Sequence, residues 1–141
     1  MADRIQNLKR AVRVLSMGAR FYESAARCVN PRLAERFRAI AAERREAAED
    51  IGVRLDALGA DVGGADLWAR LVAWYGRVIG WLYDGNDAII MQLADHEDRT
   101  IRVMRGALET SSAAPERRVI EKHLAKFRES RDLMKGLREA G

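Results

Sequence analysis

Residues 5–29, IQNLKRAVRVLSMGARFYESAARCV, decide the fold. Ile5, Leu8, Val12, Leu15, Ala19, Tyr22, Ala26 and Val29 recur there at alternating spacings of three and four. That period lays an apolar seam along one side of an α-helix, and its persistence over several heptads is the pattern of helices packed in a bundle. Asp3 with Gln6 three residues on makes a capping box at the start. Asn30-Pro31 then ends the first helix and opens a second, as an N-cap followed by proline at the first helical position.

Working outward, the second helix carries Leu33, Phe37, Ile40, Ala41, Ala48, Ile51, Leu55 and Leu58 on one face, and Gly59 stops it. A third repeats the seam through Ile90, Leu93, Ala94, Ile101, Met104 and Leu108. Pro115 starts a fourth, with Ile120, Leu124, Phe127 and Met134. These seams and caps predict long helices over 4–29, 32–58, 87–110 and 115–138. Short links make the first and last pairs antiparallel. No strand-like alternation occurs, so the class is all-α, with residues 1–141 forming one four-helix-bundle domain.

Residues 67–83, LWARLVAWYGRVIGWLY, are the most apolar stretch and hold every tryptophan. With Arg70 and Arg77 inside, they are too short and too charged to span a bilayer. The spacing predicts a shorter crossover helix near 66–83, between the second and third main helices. Trp68, Tyr75 and Leu82 would cover the bundle, while Trp74 and Trp81 fall on another flank. An exposed aromatic flank of that size points to self-association as a homo-oligomer, with a membrane surface the weaker reading.

Composition narrows the function classes. Of 141 residues, 48% are apolar and 33% charged, as in an ordinary globular helical protein. Net charge is +4, from 25 basic and 21 acidic residues, but the signs are interleaved in runs such as Glu43-Arg44-Arg45-Glu46. That reads as solvated helix faces and not as a nucleic-acid site, which needs a one-sided basic stripe. The lone Cys28 excludes an internal disulfide and reads as a small packed residue. The N-terminal residues lack an apolar signal core, so cytoplasmic residence is expected. No glycine-rich phosphate loop, nucleophile elbow or histidine-centred triad is present, so an enzyme is not expected.

With its elements placed, the chain resembles the domain of unknown function 2383 family, small bacterial ferritin-like four-helix bundles. The matching stretches are Phe21-Tyr22-Glu23-Ser24-Ala25-Ala26, Asn30-Pro31 through Phe37 and Glu43, Ala57-Leu58-Gly59, Trp74, Ala88-Ile89-Ile90 and Glu97-Asp98. The resemblance implies a ferritin-like fold, in which a dinuclear iron centre is often held by carboxylates and histidines. It also implies histidine where this chain has Arg131.

Such a centre needs a Glu from each of two helices and a Glu-x-x-His from each of the others. The sequence contains no Glu-x-x-His. If the crossover spans the bundle, counting puts Glu43 or Arg44 level with Glu97, near Ser16 and the segment from Lys126 to Arg131. Three ionisable residues interrupt apolar faces there: Arg44 between Ile40 and Ala48, Glu97 between Leu93 and Ile101, and Arg131 between Phe127 and Met134. The leading expectation is a buried ion cluster of Arg44, Glu97 and Arg131 in place of a metal layer, with no cofactor. The protein would be a non-enzymatic bundle of structural or stress-associated role. The rival is an iron-binding protein using Glu23, Glu43 and Glu97. His96 and His123 read as surface or flank residues rather than ligands.

Overall fold

The computed structural model describes residues 2–60, 73, 86–111 and 114–140. They form four long helices: α1 (Ala2–Ala26), α2 (Pro31–Ala57), α3 (Asn86–Thr110) and α4 (Ala114–Ala140). Among the described residues there is no strand, and no helix is long and apolar enough to cross a membrane. The helix expected over 66–83, with Trp74 and Trp81, lies outside the described residues apart from Ala73.

Local chemistry sets the helix ends. The Asn30 side chain accepts a hydrogen bond from the Leu33 amide at 2.9 Å, and Pro31 follows at the first helical position. At the far end Gly59 adopts φ +71, which lets the Ala60 and Gly59 amides reach back to the Leu55 and Asp56 carbonyls, each at 3.0 Å. This is the Schellman arrangement that glycine favours because it has no Cβ to clash. α1 stops at Ala26, three residues before the expected end. The Arg27 and Cys28 amides turn back to the Ser24 and Ala25 carbonyls, tightening the chain into the turn. Cys28 is therefore exposed and not packed, correcting the sequence expectation.

Around the bundle, α1 packs on α2 and α3, and α4 packs on α3 and α2, leaving α2 and α3 on one diagonal. Residues 34–41 of α2 share a core with 89–94 of α3, and 47–55 share another with 101–107. α2 and α3 thus run parallel, while α1 opposes both: Asn7 meets Gly106 at one end of α3, and Tyr22 meets Glu97 further back. At the end where α1 and α4 begin, Arg4 grips the Glu116 carboxylate through Nε and Nη2, the Nε contact at 2.7 Å. Arg117 Nη1 donates to the Leu108 carbonyl in the last turn of α3 at 3.0 Å and to the Ser111 carbonyl just beyond it at 3.2 Å, where a helix end leaves carbonyls short of partners.

Among the described residues the apolar core is in two parts. One is built on Leu8, Leu15, Ile51, Leu55, Met104 and Phe127, the other on Phe21, Tyr22, Phe37, Ile89, Leu93 and Met134. Between them lies a layer that is not apolar.

Candidate functional site

Seam positions of α2 run Ala34, Phe37, Ala41, Arg44, Ala47 and Ile51, and those of α3 run Ile89, Leu93, Glu97, Thr100 and Met104; all are buried. Arg44 and Glu97 thus stand where the heptad demands an inward side chain, with 1% and 0% of their surface exposed. Because α2 and α3 are diagonal, their contact crosses the centre of the bundle. Arg44 Nη2 donates to both Glu97 oxygens, at 2.8 Å to Oε1 and 2.6 Å to Oε2. The Tyr22 hydroxyl on α1 donates to Oε1 as well. From α4 the Phe127 ring lies 4.1 Å from the guanidinium carbon, near enough for a cation–π attraction. All four helices therefore supply one part of the layer.

The ionic pair is only partly satisfied. Arg44 Nε and Nη1 are buried with no hydrogen-bond partner. Burial pushes the Glu97 carboxyl above the usual glutamate range, against the pull of Arg44 and the Tyr22 hydroxyl. Tyr22 is held well above the ordinary phenol value, by burial first and by the Glu97 charge second. Both shifts reflect the cost of placing charge in a medium that solvates it poorly.

The two histidines flank this layer, and both are buried, correcting the surface reading. Burial, with the Arg44 and Arg99 guanidiniums nearby, pushes the His96 imidazole down to about 3, against a hydrogen bond with the Val14 backbone. His96 fits against α1 only because residue 18 is glycine: a Cβ there would stand 2.9 Å from His96 Nε2. His123 lies 2.8 Å from Asp50 through Nε2 and stacks on the other side chain of the layer, Phe127, at 6.2 Å between centroids.

Arg131 is not part of the cluster. Its side chain is 26% exposed and its Nε lies 3.5 Å from the adjacent Asp132. The buried seam of α4 runs Ile120, His123, Phe127, Ser130 and Met134 in strict three–four alternation, so Ser130 takes the inward position and Arg131 the flank. Counting along α1 also erred. Gly18 faces Arg44 and His96, and Tyr22 meets Glu97, while Ser16 lines an outer groove between α1 and α2. Tyr22 was read as one more apolar seam residue. Its hydroxyl was the available signal, since a tyrosine buried on a seam requires an acceptor.

The rival iron set is not brought together. Glu23 pairs with Arg45 on the outside of α1 and α2, Glu43 lines a groove between α2 and α4 beside Lys126 and Glu129, and only Glu97 faces the centre. Among the described residues no three His, Cys, Asp or Glu side chains lie close enough to hold a metal ion. The donor set does not fit a cation: the central carboxylate has both oxygens on a guanidinium that cannot be deprotonated.

No protein-family model, curated protein or solved structure matches this chain.

Proposed function

We propose that this protein is a non-enzymatic, ferritin-like bundle of the domain of unknown function 2383 kind, acting in a structural or stress-associated role in the cytoplasm without a metal centre. The reading is supported by one observation above all: Arg44 occupies the middle of the bundle on Glu97. A fixed guanidinium and a metal ion compete for the same carboxylate, and two cations a few ångströms apart in a poorly solvating interior repel strongly. The parallel course of α2 and α3 is what a helical crossover between them accounts for, as in ferritin-like bundles.

The expectation that Trp74 and Trp81 join copies of the chain rests on the apolar sequence of residues 67–83, since a monomer rarely leaves so large an aromatic flank in water. Elemental analysis of protein purified without chelator is expected to find no stoichiometric iron. Iron that is bound one-to-one and lost in Glu97→Gln would overturn the metal-free reading. Light scattering is expected to show an assembly that dissociates in the Trp74→Glu, Trp81→Glu variant; a wild-type monomer at high concentration would refute the self-association.

A further inference from the structure

Folding sorts the interleaved charges of the sequence into a pattern along the seam between α2 and α4. On α2 the side turned to that seam carries Arg36, then Glu43, Glu46 and Asp50, then Val53, at spacings of three, four or seven that keep them on one face. On α4 the matching side carries Val119, Lys122, Lys126 and Glu129. The two helices run antiparallel, so opposite signs lie side by side. Lys122 Nζ is 3.7 Å from Glu46, and Arg36 and Lys126 surround one hollow, of about 190 Å³, with Glu43 and Glu129. A second hollow, of about 500 Å³, has Val53 and Val119 in its lining.

This side of the bundle meets water. Val53 is 57% exposed, although it is a large apolar residue, and the Lys122 and Glu46 side chains are 56% and 53% exposed. An ion pair that open to solvent is weak, so both of its members are available to a further partner.

We propose that the α2–α4 seam is the contact face of a two-fold dimer, occupied by a second copy of the chain, with α2 of each copy lying on α4 of the other. A two-fold axis parallel to the helices and running along the seam brings α2 of one copy over α4 of its partner, at the same height and in the same antiparallel sense. Each charge then meets between copies the sign that it already faces within its own chain. Glu46 meets the partner's Lys122, Glu43 the partner's Lys126, and Arg36 the partner's Glu129. The larger hollows come face to face, so Val53 packs on the partner's Val119 and Val119 on the partner's Val53, which takes apolar surface out of water. Both helices have 27 residues. Each is about 40 Å long and the two abreast are about 20 Å wide, so the face offers about 800 Å² per copy, the amount that a stable dimer buries. An acidic or a basic partner would meet its own sign at every height of this face, whereas a second copy meets the opposite one. The inference does not rest on Trp74 and Trp81.

The test is sedimentation velocity of the full-length chain at low salt. Two charge variants are compared with wild type: Lys122→Glu, Lys126→Glu, which makes the α4 side acidic, and Glu43→Lys, Glu46→Lys, which makes the α2 side basic. Helical circular dichroism verifies that each folds. Each alone is expected to associate at least about tenfold more weakly than wild type. An equimolar mixture of the two is expected to restore the dimer, because opposite signs then meet at both α2–α4 contacts. Val53→Arg, which leaves the ion pairs of the seam in place, is also expected to dissociate it. Repeating the series on a Trp74→Glu, Trp81→Glu chain separates the two contacts: the seam dimer is expected to persist there when any larger assembly is lost. A monomer in that chain would overturn the seam dimer and leave the tryptophan contact standing. A dimer that survives Val53→Arg and both charge variants, or a mixture no more associated than its components, would also overturn the proposal.

Discussion

Glu97→Gln is the sharpest perturbation of the central layer, because it removes the charge while keeping the shape. In the native bundle both Glu97 oxygens accept from Arg44 Nη2, and Oε1 also accepts from Tyr22. An amide offers one acceptor and turns its NH2 toward donors that cannot accept. Arg44 would then remain a buried cation whose Nε and Nη1 already lack partners. The Phe127 ring attracts the guanidinium in both variants, so it offsets none of the loss.

Stranding one member of a buried pair costs about 3–5 kcal/mol, which for a domain of this size lowers Tm by roughly 10–20 °C. The assay is urea unfolding followed by helical circular dichroism, with the midpoint compared at unchanged slope. The double variant Glu97→Leu, Arg44→Met removes both charges and keeps the volume filled. It leaves the buried Tyr22 hydroxyl without its acceptor, a cost of about 1–3 kcal/mol, and is still expected to lie well above Glu97→Gln, since desolvating the pair consumes much of what the attraction returns. The mutant cycle should therefore show strong coupling between 44 and 97. Arg131→Met, on the half-buried flank of α4, should change stability by less than about 1 kcal/mol. A Glu97→Gln midpoint equal to wild type, or a double variant as damaged as the single, would refute the argument.

Two other outcomes follow from the layer's surroundings. His96 has its folded value depressed to about 3, below the unfolded value near 6.5. The unfolded chain therefore takes up a proton before the folded one does, and stability is lost as pH falls from about 6.5 toward 3, by up to about 1.4 kcal/mol per pH unit. Glu97, whose value is raised, works in the opposite sense, its contribution being greatest at low pH and lost as pH rises through its folded value. The difference between wild type and His96→Gln in thermal melts across pH 4–7 (an interval inside that window) isolates the histidine, and parallel curves would refute its role. Gly18→Ala should destabilise by about 1–3 kcal/mol, because a Cβ 2.9 Å from His96 Nε2 forces a buried ring to move. Gly52→Ala, where nothing lies within 4 Å, should stabilise by about 0.5–1 kcal/mol through helix propensity. Equal effects at the two glycines would show that the close approach at Gly18 is not limiting.

The all-α class, the four long helices and their caps were legible in the sequence because they depend on local rules. Apolar residues at three–four spacing must face inward, Asn30-Pro31 must open a helix, and Gly59 can close one. The same periodicity marked Arg44 and Glu97 as inward-facing, since each takes a seam position between apolar neighbours. It could not decide which residues meet across the bundle. That depends on the relative height and rotation of four helices, where an error of one position exchanges a seam residue for a flank residue. Arg131 was lost this way, displaced by Ser130, and so was the burial of His96 and His123. Tyr22 reached Glu97, and Arg20 came to face Arg45 across a groove, only because helix packing brought together residues far apart along the chain. Periodicity along one helix fixes which way a side chain points; only the packing of the others decides what it finds there.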